Sequence, residues 1–210
     1  MKYRTQELVY IAVFGTIWGV VEMTLGSYLH VLNVPQAGTV LAAVGMAILV
    51  VGRTFVPKRG ATLLMGIVAM FIKMLSLGGI VINPMLGIFM ESLLAEVGFG
   101  RGAPTRWRAV LAAALGVSWI IVHPFITQGI AAGWGIVRVY TWLVETGARL
   151  FGIPTRAAWL TFALLFITKP IAGAIGGWIG WEMTMAVRKR LGRSPLQPES
   201  MISRGGEQKR

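Results

Sequence analysis

Five ionisable side chains lie inside stretches that are otherwise apolar: Glu22, Lys73, Glu91, His123 and Lys169. In hydrocarbon such groups cost roughly 2.5–3.5 kcal/mol each to insert, so they pair with one another, hold a polar ligand or carry a proton. The set holds two carboxylates, two amines and an imidazole, a balance that permits mutual neutralisation. One Glu–Lys pair serves equally as a staple between helices, and His123, preceding Pro124, serves equally as a donor to a freed carbonyl. Five such insertion costs in one small chain favour a ligand or a proton over packing alone. Asn33, Gln36, Asn83 and Trp134 fall on the expected loops and helix ends above this set. Converging there, they would close a pocket and offer a ring for stacking a planar ligand.

The elements that must position these groups are read from hydropathy. The chain has 210 residues, 55% hydrophobic and 13% charged, with a mean hydropathy of +0.69. A soluble domain is usually about a quarter charged, so the composition is that of an all-α integral membrane protein. At roughly 20 residues per span the length accommodates a bundle of about six helices. They are expected near 8–32, 37–53, 61–82, 84–99, 107–129 and 158–187, in one transmembrane domain covering 1–187. The first is read as retained rather than as a cleaved signal, because Glu22 lies deep within it and no small-residue cleavage site follows. Between spans five and six, Arg138, Glu145 and Arg149 punctuate an amphipathic outer segment too charged to span, expected to lie on the surface or act as a lid. Residues 188–210 form a basic tail whose composition is that of disordered chain.

Charge placement orients the bundle. The N-terminus, the loops at 53–60 and 100–108 and the tail carry most of the Lys and Arg, while the opposite side has only Arg138, Arg149 and Arg156. By the positive-inside rule both termini are cytoplasmic, in a multi-pass protein of the cell inner (plasma) membrane. The net charge of +12 is thereby explained without nucleic acid. Cysteine and aspartate are absent, and no phosphate loop, HExxH or GxSxG motif occurs. No cofactor, metal or catalytic group is expected, and the chain is not read as an enzyme. If it drives transport, the energy must come from elsewhere.

The opening ELVYIAVFGTIWGVVEMTLGS, a short outer loop and a second span ending in basic residues resemble the substrate-binding S components of energy-coupling factor (ECF) transporters. The resemblance implies high-affinity capture of a vitamin or vitamin precursor, with thiamine or hydroxymethylpyrimidine as examples. It further implies a transmembrane coupling subunit and a pair of cytosolic ATPases as partners. In that family an AxxxA pattern on the first helix packs against the coupling subunit. Here Ala12 matches its first position and Thr16 stands at the second, with Gly15 and Gly19 beside them. A stand-alone proton-coupled carrier is the alternative reading of the same buried charges, and a membrane-embedded enzyme a more distant one.

Overall fold

The computed structural model describes residues 3–32, 34, 36–75, 82–131, 133–152 and 154–190. Among them the regular structure is entirely helical: α1 (Thr5–Val31), α2 (Ala37–Phe55), α3 (Ala61–Met74), α4 (Ile82–Phe99), α5 (Arg106–Pro124), α6 (Ile136–Phe151) and α7 (Ala158–Arg190). Four stretches, Thr5–Leu29, Ala37–Phe55, Arg106–Ile130 and Thr155–Arg190, are long and apolar enough to cross a membrane. Asn33 and residues 191–210 of the expected tail lie outside the described residues.

Several boundaries have local causes. α1 starts three residues before the expected 8, where the Glu7 carboxylate accepts the Arg4 N–H at 2.7 Å and satisfies a donor the first turn would otherwise orphan. α4 begins at Ile82, so Asn83 and Pro84 belong to its first turn, where the missing proline N–H costs nothing. At the far end of α5, Pro124 withdraws a donor from the ladder. The chain answers with a wider turn, a π-helical segment Phe125–Ala131, rather than a continuous α-helix to 129. Pro170 lies inside α7, and the helix continues on both sides of it through to Arg190, three residues beyond the expected 187.

Six helices form a ring in the order α1, α3, α4, α5, α7, α2, closed by α2 against α1. α2 also touches α3, α4 and α5, so it is the central post of the bundle. The pattern of burial is inverted relative to a soluble helix. On α7 the buried stripe is Thr161, Leu165, Lys169, Gly173, Gly176, Gly177, Gly180 and Thr184, while Phe166, Ile167, Ile171, Ile175 and Ile179 are exposed. A surface of this kind is solvated by hydrocarbon. The glycines permit the close approach: a Cβ at Gly177 would stand 2.6 Å from the Ala109 carbonyl oxygen and 2.8 Å from Ala113 Cβ. Trp18, Met46, Leu49, Val50, Ile88, Phe99 and Val117 fill the space that remains.

One end of the bundle is tied by a polar lock. Glu96 of α4 reaches across to the start of α3, accepting the Gly60 N–H at 2.8 Å, the Thr62 N–H at 3.2 Å and the Thr62 hydroxyl. It also faces the buried Arg53 guanidinium at 3.6 Å. Lys58 pairs with Glu7 at 2.6 Å, and Arg106 with Glu182 at 2.9 Å.

Candidate binding cavity

α7 passes between α2 and α5 on one side and α6 on the other, and its Lys169 opens onto a cavity of about 260 Å³. The wall draws on the start of α2, the end of α5, one face of α6 and Phe162, Leu165 and Lys169 of α7. The amphipathic segment, α6, is part of that wall. α6 buries Val139, Leu143, Val144 and Gly147 and gives Trp142, Leu143, Thr146 and Leu150 to the wall. It packs mainly on α7 and the flanking irregular turns, and glycines with positive φ stand on either side of it: Gly133 and Gly135 before, Gly152 after. Left-handed backbone of that kind is accessible to glycine at little cost, which lets both ends of α6 turn sharply.

Among the described residues Lys169 is the one charged member of this wall. It is 6% exposed, and its ammonium donates to Gln36 Oε1 and Thr39 Oγ1. The Thr39 hydroxyl in turn donates to Gln36 Oε1 at 3.0 Å, closing a triangle of neutral partners around the cation. Among the described residues no carboxylate pairs with it. Gln36 is held at φ 63°, and it is the one non-glycine with positive φ among the described residues. Such a conformation costs of order 1–3 kcal/mol and persists where surrounding contacts fix it. Here it lies directly before α2 and presents the Gln36 amide to Lys169. Elsewhere on the wall the Thr146 hydroxyl oxygen is buried and has no hydrogen-bond partner among the described residues.

The remaining expected residues separate from this cavity. Glu22 on α1 and Glu91 on α4 are buried, 8% and 7% exposed, and neither is among the wall residues. Lys73 donates to the backbone carbonyl of Glu22 at 2.7 Å, in room left by Gly26, where a Cβ would come 3.3 Å from the ammonium. Glu91 Oε2 is buried and makes no hydrogen bond among the described residues. His123 is half-buried, its ring 6.0 Å from that of Trp119 and close to Gly87. Of the rim, Gln36 enters the cavity wall, whereas Asn83 is exposed and Trp134 is covered by the Arg138 guanidinium at 4.4 Å.

The expected docking stripe divides as well. Gly15 and Gly19 are buried in the seam with α3, where a Cβ would stand 2.6 Å from Val68 Cβ and Ile72 Cβ respectively. Ala12 and Thr16 are exposed, among Leu8, Val13 and Ile17. Thr39, Trp142, Thr146 and Phe162 are wall residues that hydropathy alone does not single out. Gln36 and Thr39, three apart at a helix start, carried a faint signal of a shared side-chain partner.

No protein-family model, curated protein or solved structure matches the chain.

Proposed function

We propose that the chain is a membrane-embedded substrate-binding protein that holds a small molecule between α2, α5 and α7 beneath the α6 cover. The observation that carries this reading is the cavity itself, lined by apolar and aromatic side chains with a small number of polar groups, Lys169, Gln36, Thr39 and Thr146, among them. Ligand sites in proteins have that composition. We extend the proposal to the S-component type of importer: six spans in a plasma membrane, both termini cytoplasmic, with energy supplied by a coupling subunit and cytosolic ATPases. The exposed Ala12 and Thr16 face supports such a partner, since small residues allow a helix from outside to approach closely. The ligand is vitamin-like in size. Thiamine fits this cavity poorly, because the carboxylates that would receive its cation, Glu22 and Glu91, are absent from the wall.

The test is native mass spectrometry of the gently solubilised protein, followed by denaturation and identification of what is released. A stoichiometric small molecule supports capture. A clean apo mass that also takes up nothing from a cell extract overturns it.

A second reading, a proton-coupled carrier, is favoured by one specific feature, the buried Glu91 Oε2, which makes no hydrogen bond among the described residues. Uptake driven by a pH gradient in liposomes containing this protein alone would establish it.

A further inference from the structure

Resting on the reading of this cavity as a ligand site, we infer that its ligand is a small monoanion of about ten non-hydrogen atoms in all, an apolar body bearing one carboxylate or equivalent acid that seats against Lys169. Size follows from volume: at about 30 Å³ per water-sized group, the 260 Å³ cavity takes roughly nine of them.

Charge follows from the account of Lys169. An ammonium has three N–H donors and no acceptor. Two of the three go to Gln36 Oε1 and Thr39 Oγ1, both neutral. The third has no acceptor among the described residues, and no carboxylate neutralises the charge. A buried cation hydrogen-bonded only by neutral oxygens keeps most of its desolvation cost. A ligand acid answers both deficits at once, and such a charge-assisted bond is stronger than its neutral counterpart.

The rest of the wall agrees. Thr146 supplies from the cover a buried hydroxyl without a partner, placed to meet a polar atom of whatever fills the space. Trp142, Phe162, Ile120 and Leu165 offer rings and aliphatic surface to the apolar body. A cationic ligand would set its charge against Lys169 with no carboxylate of the wall to hold it.

The experiment titrates the full-length protein in lipid nanodiscs with three probes of one skeleton, phenylacetate, phenylacetamide and phenethylamine, by calorimetry. Phenylacetate is expected to bind about 10- to 100-fold more tightly than the amide, the range of one charge-assisted hydrogen bond, with the amine weakest. Lys169→Gln should bring acid and amide to within about twofold of each other, while Lys169→Arg keeps the preference. An amide that binds as tightly as the acid, or a preference that survives Lys169→Gln, overturns the charge inference and leaves the cavity reading standing. Failure of all three probes to bind at millimolar concentration overturns both. Should Lys169→Gln fail to fold, the ranking of the three probes on the unsubstituted protein decides the matter by itself.

Discussion

Glu96→Ala should be among the most damaging single substitutions in the chain, and a second substitution should repair part of the harm. Arg53 is 1% exposed, its Nε has no hydrogen-bond partner, and Glu96 is the carboxylate it faces, at 3.6 Å. Removing Glu96 leaves a buried guanidinium uncompensated, a change that costs about 3–5 kcal/mol. It also strips the acceptor from the Gly60 and Thr62 N–H groups at the start of α3, worth about 1 kcal/mol as a helix cap. Arg53→Met keeps the volume of the side chain and removes the charge. Alone it leaves Glu96 with its backbone and hydroxyl donors, so its cost should be smaller, about 2 kcal/mol. In the double variant the charge penalty vanishes, and the protein should be more stable than Glu96→Ala by about 1–3 kcal/mol. Unfolding by denaturing detergent, followed by the fluorescence of the buried Trp18 and Trp119, measures all four corners of the cycle. Additive effects, with the double variant worse than Glu96→Ala by the full cost of Arg53→Met, would refute the claim that Arg53 depends on Glu96.

Four further variants probe the bundle and the cavity. Gly177→Ala puts a methyl against the α5 backbone at under 3 Å and should destabilise by about 1–3 kcal/mol. Gly38→Ala, with nothing within 4 Å of the new methyl, should stabilise by about 0.5–1 kcal/mol in the same unfolding assay, so equal effects would count against the packing argument. Gly147→Cys with Thr161→Cys should tie α6 to α7, because a Cβ at Gly147 would stand 3.2 Å from Thr161 Cβ, so a parting of a few tenths of an ångström reaches the usual disulfide separation of about 3.5–4.5 Å, in a chain with no other cysteine. Oxidation should slow release of a bound probe and reduction restore it; identical release rates would show that α6 does not gate the cavity. Glu22→Gln should leave probe binding within about twofold, since Glu22 is outside the wall. A tenfold loss would return it to the site.

The contrast between α1 and Lys169 shows which physics a sequence carries. The spacing of Ala12, Gly15, Gly19, Glu22 and Gly26 sets one face of α1, on which the last four are buried and Ala12 is exposed, because helix geometry decides which residues share a side but not how far along it a neighbour packs. The same argument says nothing of which neighbour receives that face. Gly15 and Gly19 therefore looked as fit for an outside partner as for α3, and only the packed bundle assigns them to α3. Partner choice among the buried charges was hidden for the same reason. Depth places Glu22, Glu91, Lys169 and His123 at comparable levels, but the rotation and tilt that determine contact are set by packing. The expectation of mutual neutralisation treated a buried cation as needing an anion from the protein. In the structure Lys169 takes oxygens from Gln36 and Thr39 instead, and Gln36 can serve only because an unfavourable φ holds it there. A left-handed glutamine in a short loop leaves no mark on hydropathy or periodicity. Its consequence is chemical: with neutral oxygens supplied by the protein, the balancing negative charge is left for a ligand to bring.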